Sequence, residues 1–465
     1  MVEVKQNGER VMAEVIAINA ANGDQCLRGT SMGPQADMNL HLSAPAKEGE
    51  TYKVTASYYG KTVTTEAKVA GDTVVRIDLD KSVEPFNAKY VTEYLTGNSD
   101  HADIASKHVN ELPFTEANAK AAWEAYLAAP DVALKADFDA NVVKTTNRKS
   151  PYLWKKVGEK PKDGWGLVIV MHGGGGTAKE VNDGQWRGML NGYYKEHPEA
   201  GGYIHLALRA PNDEWDGFYD AAISPLIERL ILQFAKYGEI NLDKVYACGA
   251  SHGGYGTFVI GPKTPYRFAA LHPAAGAQTP DRTAGENLRN VRFTWAVGEN
   301  DTAYGRIKLN REFQTSWDEW KAKYGGFDGG FEEVKGHGHQ IGDWERDKTA
   351  ELLKYTRQSS PKRVIWVQTD DLLHRFYWLE ALKPVDKGRI DATVEGNTIT
   401  LTTEKQGEVA LWLSSALVDL TKPVTVIRDG KKKEYRVKPS FATYCQGLSQ
   451  TGDPALSAPV RLVIP

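Results

Sequence analysis

Apolar positions change period along this chain, and the changes divide it into four stretches. From residue 1 to about 82 the rhythm is that of half-buried strands. Met38-Asn39-Leu40-His41-Leu42, Tyr52-Lys53-Val54-Thr55-Ala56 and Val63-Thr64-Thr65-Glu66-Ala67-Lys68-Val69 alternate apolar and polar residues. Tyr59-Gly60-Lys61 supplies a turn between the last two, and Gly71-Asp72 precedes a further strand, Val74-Val75-Arg76-Ile77. Several short strands at this spacing predict a small β-sandwich-like domain, read as an accessory or substrate-positioning module or as a purely structural one. Residues 83–148 read as a helical connector. There Thr115 is the predicted N-cap of a helix running through Trp123, Tyr126 and Leu127.

Residues 149–358 alternate strand and helix, which predicts an α/β domain with a mostly parallel sheet covered on both faces. Gly166-Leu167-Val168-Ile169-Val170-Met171 is a continuous apolar strand, and Tyr203 to Leu208 is the next. A helix follows with Ser224 as N-cap, Pro225 at its first position and Gly238 past its end; Ile223, Leu226, Ile227, Leu230, Ile231 and Phe234 fall on one face. Then come the strand Lys244 to Cys248 and three more: Phe268 to Leu271, Val291 to Val297 and Phe331 to Val334. Helical stretches are expected near 306–324 and 344–357. From 359 to 465 the alternation stops and hairpins return, one turning at Glu395-Gly396-Asn397 and another at Arg428-Asp429-Gly430, so a C-terminal β-rich domain is predicted.

Composition adds exclusions. The 465 residues carry 57 Lys and Arg against 60 Asp and Glu, a formal net charge of −3. Without a concentrated cationic face, nucleic acid is not an expected partner; Lys431-Lys432-Lys433 sits beside a turn and reads as solvated. No run approaches the roughly 18–20 apolar residues of a spanning helix. Cys26, Cys248 and Cys445 are too few and scattered for a disulfide framework or a zinc site, and Cys26 and Cys445 could pair only if the terminal domains touch. Met1 to Lys5 carries no signal peptide; the expectation is an exported protein whose leader is absent from this sequence, with the cytoplasm as the alternative.

Candidate chemistry lies after strands, where ligands bind in an open parallel sheet. His172-Gly173-Gly174-Gly175-Gly176 follows one strand and Gly249-Ala250-Ser251-His252-Gly253-Gly254 another. Glycines either side of Ser251 permit a sharp turn that presents its hydroxyl, which then needs a base, a group orienting that base, and oxyanion donors. Asp301 follows Val297-Gly298-Glu299-Asn300, in competition with Glu299 and Asp343 for the carboxylate. His339 follows the strand ending near Val334, in competition with His337.

In these four motifs, including Gly298-Glu299-Asn300-Asp301 and Gly336-His337-Gly338-His339, residues 150–358 resemble α/β-hydrolases of the esterase and polyhydroxyalkanoate-depolymerase-like type. The resemblance implies Ser251 as nucleophile, His339 as base and then acid, and Asp301 as its orienting carboxylate. It implies oxyanion donors from the backbone of His252 and of Gly173 or Gly174. His252 departs from the small or aromatic residue expected after the nucleophile, and its ring is expected to pack or to line the rim. Cys248, His205 and His272 read as buried core residues. Trp186, Trp215 and Tyr255 are candidates for a flat substrate-binding wall, although ordinary loop packing explains them equally. The expected function is hydrolysis of a small-molecule or polymer-linked ester, a polyester or a feruloyl or acetyl group on polysaccharide, with no metal or organic cofactor. The alternatives are a prolyl-oligopeptidase-type serine peptidase and an inactive polysaccharide-binding protein.

Overall fold

The computed structural model describes residues 1–6, 8–31, 46–58, 61–79, 86–97 and 102–465. The chain forms two compact units, Met1–Ala125 with Ser440–Cys445, and Tyr126–Pro439 with Gln446–Pro465. Within the first, strands Gln25–Thr30, Glu14–Asn19, Thr51–Tyr58 and Lys61–Lys68 lie side by side in that order, all antiparallel. Tyr52, Val54 and Ala56 are buried in alternation, as a strand with one covered face requires. Val2–Gln6 pairs in parallel with Val75–Asp78, and both sheets feed one core containing Val4, Val15, Val54 and Ile77. The strand expected at Met38–Leu42 lies outside the described residues, as do Tyr59 and Gly60 of the expected turn. Helix Glu116–Ala128 starts where Thr115 Oγ1 accepts the Asn118 N–H at 3.0 Å.

The second unit is built on an eight-stranded sheet. Its strands are β1 (Val142–Lys144), β2 (Lys149–Val157), β3 (Trp165–Met171), β4 (Tyr203–Leu208), β5 (Ile240–Ala250), β6 (Ala270–Ala274), β7 (Arg292–Gly298) and β8 (Gly329–Val334). Across the sheet the order is β1-β2-β4-β3-β5-β6-β7-β8. Only β1 with β2 and β2 with β4 are antiparallel. Leu167 to Met171 of β3 have no exposure at all, which is why that strand reads as an unbroken apolar run. The chain leaves β3 for β4 on one side and returns to β5 on the other, so the loops after β3 and β5 open beside the point where the order reverses.

Three local expectations are corrected. Strands β1 and β2 precede the first predicted strand of this sheet, and β1 falls inside the stretch read as connector. Their pattern is hidden because β2 carries Pro151 and three lysines on a partly exposed strand. Helix α1 (Lys179–Gly188) follows β3, and helix α2 (Ile223–Tyr237) starts one residue before Ser224. Ser224 Oγ is buried without a partner among the described residues; Asp220 Oδ1 accepts the Ala222 N–H at 2.7 Å instead. The apolar face of α2 is buried as its spacing requires, Ile223, Leu226, Leu230 and Phe234 having no exposure. Helix α3 (His252–Lys263) follows β5, and α4 (Arg306–Tyr324) follows β7. The stretch read as helical near 344–357 holds two short helices, Gly342–Glu345 and Lys348–Leu352.

After residue 360 the chain forms a five-stranded and a four-stranded sheet. Arg389–Glu395 pairs with Thr398–Glu404, and Val424–Arg428 with Lys431–Tyr435 across Asp429-Gly430, both with positive φ. A buried charge cluster fastens the C-terminal segment to the eight-stranded sheet. Asp453, with no exposure, accepts from Arg357 Nη1 at 2.5 Å and from Arg267 Nη1 at 3.1 Å. Arg357 also donates to Asp243 on β5 at 2.8 Å, and Arg267 to Glu228 on α2. No helix among the described residues is long and apolar enough to cross a membrane.

Candidate active site

Strand β5 ends at Ala250 and α3 begins at His252, leaving one residue to reverse the chain. That residue is Ser251, with φ 55° and ψ −113°, a backbone conformation that costs an L-residue roughly 1–3 kcal/mol and holds its hydroxyl at the tip of the turn. The glycines two positions either side make the turn possible. A Cβ on Gly249 would run into the backbone carbonyl of Gly253, and one on Gly253 into that of Met171. The turn is pinned on both flanks: Ser251 N–H donates to Ala274 O and Gly253 N–H to His172 O, each at 2.9 Å.

Loops from two other strand ends reach this tip. His339 Nε2 lies 3.0 Å from Ser251 Oγ, and His339 Nδ1 lies 2.8 Å from Asp301 Oδ2. Asp301 is buried, and Arg306 at the start of α4 forks onto it, Nε to Oδ2 and Nη2 to Oδ1, each at 2.8 Å. Burial raises the proton affinity of Asp301, but the hydrogen bonds from His339 and Arg306 outweigh it and hold the carboxyl below its usual range. An ionised Asp301 accepts from Nδ1–H, which leaves the Nε2 lone pair facing the serine hydroxyl. The competing groups point elsewhere. His337 Nδ1 faces Lys335 O at 2.9 Å, Glu299 pairs with Lys335 and the Gly336 N–H, and Asp343 is exposed.

The glycine run after β3 lies against Ser251: a Cβ on Gly173 would stand 3.4 Å from Ser251 Cβ. His172 orients this loop. Its Nε2 accepts the Ala210 N–H at 3.0 Å, so Nδ1 carries the proton and donates to Gly173 O at 2.6 Å. Burial pushes the His172 imidazole down to about 3, so the ring stays neutral. Gly175 and Gly176 donate to Asn182 Oδ1 and Asp213 O, whereas the amides of Gly173 and Gly174 have no acceptor among the described residues. His252 is the first residue of α3, where an N–H has no intrahelical acceptor. Among the described residues, three backbone donors beside Ser251 are therefore without an acceptor.

The His252 ring is buried and stacks on Trp215 at 5.9 Å and 24°. Burial pushes its imidazole down to about 4, so it packs as a neutral ring. His205 and His272 are also buried and neutral, pushed down to about 4 and about 3 by burial. Cys248 is a buried free thiol, as are Cys26 and Cys445.

A cavity of about 550 Å³ opens over Ser251 and His339. Its walls are Gly173 and Gly174, Gln185, all of the segment Gly188 to Tyr193 but Leu190, and Ala250, Ser251, Ala275, His339 and Gln340. Trp186, Trp215 and Tyr255, the expected wall, do not line this cavity. The Trp186 indole N–H donates to Ala207 O at 2.9 Å, tying its ring to the sheet, and Tyr255 is buried. Trp215 forms an exposed aromatic group with Tyr304 beside His252. Sequence reasoning missed Arg306, whose fork is evident only once α4 is placed, and the carboxamides of Gln185 and Gln340, which carry no motif.

No protein family and no curated protein matches the chain. Similar solved structures include a thermostable esterase at 14% identity, covering 77% of this chain and 99% of that one, with a TM-score of 0.38. A ferulic acid esterase from Anaeromyces mucronatus, solved with ferulic acid, is 15% identical over 46% of this chain and 88% of its own, TM-score 0.33. An acetyl xylan esterase from Aspergillus awamori is 16% identical over 45% and 94%, TM-score 0.31.

Proposed function

We propose that this chain is a serine carboxylic-ester hydrolase working through a Ser251-His339-Asp301 triad and a covalent acyl-enzyme. The observation that carries the reading is the pair of distances 3.0 Å and 2.8 Å that joins the three side chains at the tip of a strained turn. Ser251 Oγ attacks the ester carbonyl as His339 Nε2 takes its proton, and Asp301 stabilises the imidazolium. The carbonyl oxygen, now an anion, is held by the N–H of His252 and of Gly173 or Gly174. His339 returns its proton to the leaving alcohol, and water, activated by the same ring, then releases the acid and restores Ser251. The substrate class is an ester whose acyl or alcohol part is small or presented by a polymer such as a polyester or a feruloylated or acetylated polysaccharide. The open cavity beside Ser251 supports such a presented group, and the β-rich stretches at 1–82 and 359–465 are proposed as accessory domains that hold the polymer.

The test is turnover of p-nitrophenyl acyl esters, a feruloyl ester and a dipeptide anilide by wild type and Ser251→Ala. Ester turnover that vanishes in the variant supports the reading. Equal turnover by both would remove Ser251 from the mechanism, and anilide cleavage without ester cleavage would replace the esterase by a peptidase.

A further inference from the structure

The segment that walls the cavity opposite the glycine loop is irregular. After α1 the backbone makes a single π-turn over Met189–Tyr193, with Gly192 at φ 156° and ψ −2°. Such turns persist where side chains fix them, and here the fixing groups come from beneath. His205 Nε2–H donates to Met189 O at 2.9 Å and Lys155 Nζ to Leu190 O at 2.7 Å. At the far end the hydroxyls of Tyr193 and Tyr194 both donate to Glu345, at 2.9 Å and 2.5 Å. Glu345 has no exposure and no cation within ion-pair distance among the described residues. It lies six residues after His339, in the short helix Gly342–Glu345, and the next residue, Arg346, accepts the Lys195 N–H through its carbonyl at 2.9 Å. One buried carboxyl thus joins two walls of the cavity, the segment ending at Tyr193 and the loop bearing His339 and Gln340.

We infer that Glu345 is a positioning residue for the esterase reaction proposed above: it sets the substrate-binding wall Gly188 to Tyr193 against the His339 loop, and the wall tightens when Glu345 is ionised. The inference rests on that functional reading. An ionised carboxylate accepts both phenol hydrogens through charge-assisted bonds, whereas the protonated acid brings a hydrogen of its own and holds the two tyrosines less well. Burial pushes the Glu345 carboxyl up to about 7, with Tyr194, Tyr193 and the nearby Lys348 pulling the other way. Two other titratable groups face this network: the Cys248 thiol on β5, which its own burial pushes up and keeps protonated, and the His205 imidazole, 6.4 Å ring to ring from Tyr194, which burial keeps neutral. While Glu345 stays buried, its ionisation within the neutral pH range therefore strengthens the two tyrosine contacts, even as the cost of charging a buried carboxyl lowers the stability of the whole fold.

The experiment measures kcat and KM for p-nitrophenyl butyrate from pH 5.5 to 9 with the full chain, Glu345→Gln and Tyr193→Phe. Wild-type KM should fall as pH rises through about 7. Glu345→Gln should lack that step and raise KM at pH 8 about threefold to tenfold, the worth of roughly one hydrogen bond, with kcat within twofold. Tyr193→Phe should also raise KM while keeping part of the step through Tyr194. A lowered melting temperature with KM unchanged in both variants would reduce Glu345 to a structural role and overturn the inference. Should wild type turn over no ester, the esterase reading fails by itself. Amide hydrogen exchange over 188–194, corrected for intrinsic rates, then decides the wall: greater protection at pH 8 than at pH 6, lost in Glu345→Gln, supports it, and identical protection in both proteins overturns it.

Discussion

Replacing Asp301 by Asn keeps the size of the side chain and removes its charge. In the wild type Oδ2 accepts from His339 Nδ1 and Arg306 Nε, and Oδ1 accepts from Arg306 Nη2, all at 2.8 Å. An amide offers one oxygen and one NH₂. With the NH₂ in place of Oδ1, donor faces donor at Arg306 Nη2; turned over, the NH₂ opposes both Arg306 Nε and His339 Nδ1. The first arrangement loses less, so the amide keeps an acceptor for His339 but no longer offsets the imidazolium formed in the reaction. An amide in place of a triad carboxylate lowers kcat about 10⁴-fold, or about 5 kcal/mol of transition-state stabilisation. The same change strands Arg306, whose side chain is 5% exposed, as an uncompensated cation, at about 3–5 kcal/mol of stability. Ester turnover measured well below each protein's melting temperature, beside urea denaturation followed by fluorescence, separates the two losses. Adding Arg306→Met removes the stranded charge and should return about 1–3 kcal/mol of stability without returning activity. A kcat for Asp301→Asn within tenfold of wild type would refute the role given to this carboxylate. A double variant less stable than the sum of the single changes would refute the role given to the fork.

Three further outcomes are expected. Glu345 has a carboxyl raised from 4.5 to about 7, so between those values the folded chain binds more protons than the unfolded one. Its contribution is then fully present below about 4.5 and is lost as pH rises through about 7, a decline of about 3 kcal/mol; Glu345→Gln should flatten that part of the denaturation-versus-pH curve, and a parallel curve would contradict the burial argument. Gly253→Ala places a methyl group against the Met171 carbonyl; we expect about 1–3 kcal/mol of destabilisation and a kcat loss of at least tenfold because the Ser251 turn must shift, while wild-type turnover would show that the turn has slack. Asp453→Asn leaves Arg267 and Arg357 without their shared buried charge, so chemical denaturation should register a loss of about 3–5 kcal/mol, and a change under 1 kcal/mol would mean that Glu228 and Asp243 suffice.

The centre of the fold was legible in the sequence because it is apolar throughout. Strands β3 and β4, the second half of β5 and the buried face of α2 carry apolar runs or periods that mark them. The candidate site was legible for a related reason: Ser251, Asp301 and His339 each sit in a glycine-marked loop directly after a strand, and a parallel sheet gathers such loops at one edge. Strands β1 and β2 were hidden because lysines and Pro151 break their alternation, although pairing with β4 buries enough of β2 to hold it. Arg306 and Glu345 were hidden differently. Their meaning lies in which atoms converge, and Glu345 meets Tyr193 across 152 residues of sequence that no local pattern spans. Trp186 and Tyr255 were chosen as loop aromatics on the catalytic edge, but their rings turn inward to pack.

The Asp453 cluster carries a consequence for the order in which the chain is made. Arg357 and Arg267 are synthesised 96 and 186 residues before the carboxylate they share. Until that carboxylate arrives, the eight-stranded sheet has all its strands, but of their carboxylate partners Arg357 keeps only Asp243 and Arg267 only Glu228. A chain stopped near residue 360, where the pattern changes, therefore has the sheet but lacks the charge that completes its flank, and should be less stable than the finished protein. Shortened versions ending there should emerge as insoluble material however intact their triad.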